Sequence, residues 1–169
     1  MKKTLDLFVA NWGLFFLGAS TAILGAAYFF QFVLGYQPCE LCLYQRYPYM
    51  IIAVVALIAY VTRHRHDIGL KRAARGFLII IIMLLFLEVF LAAHHIGVEQ
   101  GFWQAFTACA GIDIDPSATT EEYLRLLSEI QVIACDQRRT FLGISFAEYN
   151  IVIATFLTAF GIYTYNRTK

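Results

Sequence analysis

The sequence has 169 residues, of which 60% are hydrophobic and 15% are charged, and its mean hydropathy is +0.64. Soluble domains average roughly 45–50% apolar and about 25% charged residues, so a soluble core of this size cannot hide so much apolar surface. The aromatic fraction of 16% excludes intrinsic disorder, and a net charge of +1 gives no indication of nucleic-acid binding. These values predict an integral membrane protein that lies in a lipid bilayer.

Four apolar stretches are long enough to cross a bilayer as helices, which takes roughly 20 residues each. We predict spans over about residues 12–34, 43–62, 76–96 and 143–165. Each stretch is uniformly apolar rather than alternating, which favours helices over a membrane β-barrel. The predicted fold is therefore an all-α bundle of four transmembrane helices in a single membrane domain, residues 1–169.

Basic residues predict the orientation of the spans. Lys2, Lys3, Arg167 and Lys169 lie near the termini, and five more basic residues lie in the connection of residues 63–75. The positive-inside rule places these parts in the cytoplasm, so the loops of residues 35–42 and 97–142 face outward. The first stretch is longer than the 7–15 residues of a signal-peptide core, so we expect an uncleaved span. The expected location is the bacterial inner membrane.

All four cysteines fall in the two predicted outward loops. Cys39 and Cys42 lie in the first loop, and Cys109 and Cys135 lie in the second. Thiols in an oxidising compartment form disulfides unless a partner cycles them. An even division between two loops suggests two pairs, but four cysteines allow three connectivities that the sequence does not distinguish.

The segment from Cys39 to Cys42 forms a C-x-x-C motif, the most specific local feature of the chain. A two-residue spacer at a helix start brings the sulfurs within bonding distance, and the helix N–H groups lower the pKa of one thiol. Arg46 follows Cys42 by one turn, so we expect it to favour a Cys42 thiolate and to polarise a bound carbonyl. Pro48 cannot donate to the carbonyl of Tyr44, which predicts either a cleft beside Arg46 or a simple bend.

Two structural alternatives compete with redox chemistry at the cysteines. One is a zinc site that joins the C-x-x-C motif to Cys109 and Cys135. Because 25 residues separate the second pair and zinc needs reduced thiolates, we predict no metal. The other alternative is two inert disulfides, although a bridge that closes a four-residue ring adds little stability.

Three motifs resemble, in the same order, those of the disulfide bond formation protein B (DsbB) family. Residues 38–46 read PCELCLYQR and are similar to the first redox loop of that family. Residues 95–101 read HIGVEQG and resemble its segment after the third span. Cys135 and Asp136, followed by residues 141–145 (FLGIS), resemble the entry to its fourth span. The resemblance covers nearly the whole chain and agrees with four spans.

The resemblance implies a quinone-dependent thiol oxidase that reoxidises a periplasmic thioredoxin-fold donor of the DsbA type. It implies that Cys109 and Cys135 form the disulfide that the donor attacks, with Cys109 in the mixed disulfide. Electrons would then pass to Cys39 and Cys42, and from Cys42 to ubiquinone or menaquinone. Arg46 and His95 match family positions that adjoin the quinone.

Two further segments allow more than one interpretation. Glu88 lies inside the third span, seven residues before His95. We expect it either to form a structural hydrogen bond or to take part in a proton relay. Residues 119–130 carry a capping-box pattern and helical apolar spacing, which predict an amphipathic helix on the membrane surface or a cap on the bundle.

Two other functions remain open from the sequence. One is a thiol/quinone oxidoreductase similar to vitamin K epoxide reductase. The position of the C-x-x-C motif disfavours this alternative, because the motif precedes the second span and does not lie in the last span. The other is a non-catalytic membrane scaffold with structural disulfides or zinc.

Overall fold

The computed structural model describes residues 9–63, 68–105, 135, 138 and 140–168. Within these residues the chain forms α1 (Trp12–Phe32), α2 (Glu40–Tyr44), α3 (Arg46–Arg63), α4 (Ile68–Glu99), β1 (Thr140–Phe141), β2 (Ile144–Ser145) and α5 (Phe146–Arg167). Cys109 and the helix predicted for residues 119–130 lie outside the described part of the chain.

Four helical segments are long and apolar enough to cross a membrane: Trp12–Phe32, Glu40–Thr62, Ala73–Glu99 and Phe146–Arg167. The predicted all-α bundle of four spans is confirmed. Helix α4 extends beyond both ends of the predicted third span, residues 76–96, because it begins at Ile68 and continues to Glu99. Its first turns contain Ala, Lys, Leu and Arg, which are strong helix formers, so the helix starts inside the stretch predicted as a connection.

The second span is built from two helices, α2 and α3, that are separated by a turn at Gln45. Pro48 is the third residue of α3, and it has no N–H to donate to the carbonyl of Tyr44. The helix is therefore interrupted one residue after Tyr44. The break leaves Gln45 only 8% exposed, and its side chain lies inside the bundle.

The spans pack through seams in which buried residues recur mostly at intervals of three or four positions, as in a coiled coil. The second span contributes Gln45, Tyr49, Ile52, Ala56 and Ala59; α4 contributes Ala74, Leu78, Ile81, Leu85, Glu88, Ala92 and His95; and α5 contributes Ala147, Ala154, Leu157, Gly161 and Thr164. Helix α4 packs against α3 and α5, and α1 packs against α3. The outer faces expose large apolar side chains such as Met83, Phe90 and Phe156, as expected for lipid contact.

A short hairpin of β1 and β2 leads into α5. Its two turn residues, Leu142 and Gly143, have φ values of 54° and 84°, which suit a two-residue hairpin loop. Ser145 then caps α5: its hydroxyl accepts a hydrogen bond from the backbone N–H of Glu148, and the Glu148 carboxylate accepts one from the N–H of Ser145. This capping box fixes the direction in which the hairpin enters the helix.

Candidate redox site and adjoining cavity

Cys39 and Cys42 form a reduced pair at the start of α2. Cys39 is the N-cap residue, and its sulfur accepts a hydrogen bond from the backbone N–H of Cys42 at 3.3 Å. The two sulfurs are 2.8 Å apart. The C-x-x-C spacing therefore places both thiols at one helix end, as predicted, and within reach of each other for disulfide exchange.

The pKa of the Cys39 thiol is lowered from 9.0 to about 4. The main cause is the hydrogen bond that the Cys42 thiol donates to the Cys39 sulfur, and contact with His95 lowers the pKa further, while burial opposes both effects. The structure thus differs from the expectation that Cys42 carries the thiolate. The physical reason is that the Cys42 thiol donates to the sulfur of Cys39, while the backbone N–H of Cys42 at the N-cap adds a smaller contribution.

Arg46 is held by α1 through two contacts. Its Nη1 donates a hydrogen bond to Oε1 of Gln31 at 2.6 Å, and its guanidinium carbon lies 5.0 Å from the centre of the Tyr28 ring. Both contacts orient a permanent cation at the first helix. Arg46 also lines a cavity beside the cysteine pair. The prediction that it contacts a bound acceptor stays a prediction.

A cavity of about 680 Å³ lies beside the cysteine pair. Cys42 and Arg46 line it, whereas Cys39 and His95 are not among its lining residues. Four aromatic rings also line it, and neighbouring rings among them have centroids 5.0–5.8 Å apart: Phe30, Tyr36, Phe141 and Phe146. The size and the mostly apolar lining are typical of a small-molecule site.

His95 lies behind Cys39 rather than at the cavity. It is 2% exposed, and its Nε2 atom is 3.5 Å from the sulfur of Cys39. Its Nδ1 atom accepts a hydrogen bond from Nε2 of Gln45 at 3.3 Å. The sequence analysis placed His95 beside the electron acceptor; the structure places it against the sulfur pair, and its role toward an acceptor stays a prediction.

A chain of polar side chains continues from His95 into the bundle. Oε1 of Gln45 accepts a hydrogen bond from Nδ2 of Asn150 at 3.1 Å, and the same nitrogen donates to Oε1 of Glu88 at 2.5 Å. The Tyr49 hydroxyl donates to Oδ1 of Asn150 at 2.7 Å. Glu88 is fully buried, as expected for an acid in a span.

The sequence analysis missed Gln45, Tyr49 and Asn150, which all line the cavity as well. The sequence carries a signal for each of them. Gln45 and Tyr49 are four residues apart on the face that faces the bundle, and Asn150 is a polar residue in an apolar span. Polar residues inside spans usually face the bundle interior. The sequence analysis applied this rule to Glu88, and the same rule predicts an inward position for Asn150.

Cys135 forms a disulfide and is 2% exposed. It packs in one buried cluster with Cys39, Leu41 and Val98. A disulfide at Cys135 removes one thiolate from the four-cysteine zinc alternative. The donor atoms of Cys39, Cys42 and His95 lie within 4.8 Å of one another, close enough to hold a metal ion, so the predicted absence of metal stays a prediction.

Comparison with known proteins adds an independent finding. A family model described as disulfide bond formation protein DsbB matches residues 10–164. A Rickettsia prowazekii (strain Madrid E) protein described as uncharacterized protein RP370 is 27% identical over 143 residues, which cover 83% of this chain and 78% of the relative.

Two further relatives carry the name disulfide bond formation protein B. The Aromatoleum aromaticum protein is 28% identical over 146 residues, which cover 83% of this chain and 82% of the relative. The protein of Polaromonas sp. (strain JS666) is 29% identical over 150 residues, which cover 85% and 83%. No solved structure matches the chain.

Proposed function

The chain belongs to the family of disulfide bond formation protein DsbB, and from this premise we propose that it reoxidises a DsbA-type donor and delivers the electrons to a membrane quinone. The observation that supports this most is the division of the cysteine pair between two environments. Cys42 lines the cavity, whereas Cys39 packs with Cys135. Electrons that arrive from Cys135 thus have a route through one sulfur pair to the cavity.

The proposed exchange needs only thiolate attack on disulfide sulfurs. A donor dithiol attacks the loop disulfide at Cys109, and the electron pair of the broken S–S bond passes to Cys135. The Cys135 thiolate then attacks the sulfur of Cys39 in the oxidised Cys39–Cys42 pair. The Cys39–Cys42 bond breaks, a Cys39–Cys135 bond forms, and Cys42 leaves as a thiolate beside the cavity.

The second half of the exchange restores the loop disulfide. The second thiolate of the donor attacks its mixed disulfide with Cys109, which frees the Cys109 thiolate and leaves the donor oxidised. The Cys109 thiolate attacks Cys135 in the Cys39–Cys135 bond, and Cys39 leaves as a thiolate. Hydrogen bonds from the backbone N–H of Cys42 and from His95 to the sulfur of Cys39 stabilise this leaving group. The net result is one oxidised donor and one reduced pair, Cys39 and Cys42.

The residues around the cavity fit a quinone. A quinone supplies an acceptor for two electrons that is more oxidising than a DsbA-type donor, whose potential is about −120 mV. Phe30, Tyr36 and Phe141 offer apolar surface for the ring and tail, and Arg46 offers a cation for a carbonyl oxygen. Gln31 and Tyr28 hold that cation in place.

We further propose that the protein lies in the bacterial inner membrane with both termini in the cytoplasm. The support is the excess of basic residues at the termini and in residues 63–75. This orientation puts the cysteine pairs in the periplasm, where a soluble donor can reach them. A cysteine introduced at Thr168 and labelled from one side of the membrane tests it, and labelling from the periplasm would contradict it.

The experiment uses purified protein in detergent, a reduced DsbA-type protein and ubiquinone-1, with menaquinone in a parallel series. Quinone absorbance and thiol trapping are followed together. We expect Cys42→Ser to abolish quinone reduction, and Arg46→Ala to raise the KM for quinone while donor exchange at the loop cysteines continues. Arg75→Ala, an exposed arginine away from the cavity, is the matched control.

Two outcomes would overturn the proposal. Quinone reduction by the Cys42→Ser variant would show that this sulfur does not deliver the electrons. Cysteines that keep their oxidation state when donor and quinone are both present would instead support a non-catalytic scaffold.

A further inference from the structure

The polar chain from Glu88 to His95 has a direction, which the two amide side chains of Asn150 and Gln45 set. An amide has one accepting oxygen and one donating nitrogen, and the Glu88 oxygen that faces Asn150 accepts. Nδ2 of Asn150 donates to Glu88 and to Gln45, while its Oδ1 accepts from the Tyr49 hydroxyl. Both protons and the oxygen of the Asn150 amide are therefore used in one orientation.

The orientation of Asn150 determines that of Gln45. Because the Asn150 nitrogen faces it, Gln45 must present Oε1 on that side and Nε2 on the other. Nε2 of Gln45 lies 3.3 Å from Nδ1 of His95. An amide nitrogen only donates, so Nδ1 of His95 must be the acceptor.

A neutral imidazole that accepts at Nδ1 carries its proton on Nε2. That atom faces two acceptors, the sulfur of Cys39 at 3.5 Å and Oε1 of Glu99 at 3.9 Å. The same chain therefore directs an N–H group at the sulfur. The opposite tautomer would present a lone pair to the sulfur and would repel a thiolate.

We propose that Gln45 and Asn150 are positioning residues that, anchored by Glu88 and Tyr49, hold His95 in the Nε2–H tautomer so that it donates to Cys39. The consequence for exchange, a stabilised Cys39 leaving group, rests on the proposed function. The tautomer itself does not, because it is a property of the reduced protein without donor or quinone.

The test is ¹⁵N NMR of the reduced protein in detergent with ¹⁵N-labelled histidine, with the His95 signals assigned by their loss in His95→Asn. We expect a protonated Nε2 and an unprotonated Nδ1 in the wild type. Gln45→Glu replaces the donor with a group that only accepts, so Nδ1 should gain a proton. Gln45→Leu removes the partner, and a mixture of tautomers should appear.

The controls separate the hydrogen-bond chain from general packing. Thr158→Val removes a buried hydroxyl on the same helix as Asn150 that bonds only to the Ala154 carbonyl among the described contacts, and it should leave the wild-type tautomer. Glu88→Gln retains an acceptor and should do the same.

A protonated Nδ1 with an unprotonated Nε2 in the wild type would overturn the proposal without any variant. An unchanged His95 spectrum in Gln45→Glu would also overturn it. If the NMR result is as expected and quinone reduction still fails, the proposed function is wrong and the positioning role stands.

Discussion

Nε2 of His95 lies 3.5 Å from the sulfur of Cys39, although the two residues are 56 positions apart in the sequence. The contact joins the end of α4 to the N-cap of α2. The same sulfur contacts the backbone N–H and the thiol of Cys42. Cys39 is therefore surrounded by donors, which is the environment that a thiolate requires.

The first prediction concerns the ionisation of Cys39. Because hydrogen bonds lower its pKa to about 4, we expect the reduced protein to show thiolate absorbance in the ultraviolet at neutral pH. His95→Ala removes one donor and should shift the titration of this thiol to higher pH. His94→Ala, a change at the adjacent histidine that stacks on Trp103, is the matched control.

The same pKa shift predicts how the stability of the reduced protein depends on pH. A thiol whose pKa is lowered by folding adds stability that is present above its unfolded value of 9.0 and is lost as pH falls through about 4. We therefore expect the melting temperature of the reduced protein to decrease between these values more than that of Cys39→Ser. A Cys39 titration midpoint near the unfolded value of 9.0 would contradict both expectations.

The second prediction concerns the cavity. Ala27 lines it from α1, and a phenylalanine there would occupy part of the space of about 680 Å³. We expect Ala27→Phe to raise the KM for quinone by about tenfold or more, because a filled pocket excludes a bound ring. Exchange between the cysteine pairs and the donor should continue. Ala93→Phe makes the same change at an exposed site outside the cavity, and an equal effect there would refute a quinone site in this space.

The third prediction concerns Gly97, on which the indole of Trp103 packs. A Cβ atom at this position would overlap the Trp103 ring, whose Nε1 also donates to the His94 carbonyl at 2.9 Å. We expect Gly97→Ala to displace Trp103 and to reduce the free energy of unfolding by about 1–2 kcal/mol. Thermal unfolding in detergent with tryptophan fluorescence measures both effects.

Gly18→Ala is the control for that change, because a Cβ atom at Gly18 meets nothing within 4 Å. Alanine is favoured over glycine inside a helix by roughly 0.5–1 kcal/mol, so this variant should be at least as stable as the wild type. Equal destabilisation of both variants would show that the overlap with Trp103 is unimportant.

The fourth prediction separates two roles of Glu88. Its Oε1 accepts from Asn150, and a glutamine at this position retains an oxygen for that bond. We expect Glu88→Gln to keep its stability and activity. Glu88→Leu leaves the Asn150 N–H without an acceptor and should cost about 1–3 kcal/mol of unfolding free energy. Denaturation and turnover are measured together; a Gln variant that is stable but inactive would instead support a proton relay.

The sequence by itself determined the class of fold and the position of the cysteine motif. Bilayer thickness sets the length of a span, and the apolar composition of each stretch is a local property, so both can be recognised without knowing the neighbours. The C-x-x-C motif is equally local, because its two residues lie at one helix end. These features do not depend on how the helices are rotated against one another.

Only the tertiary structure decided which side chains meet. The spans are apolar on nearly all sides, so the sequence gives little indication of which face of each helix is inside. Two contacts that orient His95 are long-range. Gln45 bonds to His95, which lies 50 positions away in the sequence, and to Asn150, which lies 105 positions away. Such contacts follow from the rotation and register of packed helices, and the same packing brought Arg46 to Gln31 and His95 to the sulfur of Cys39.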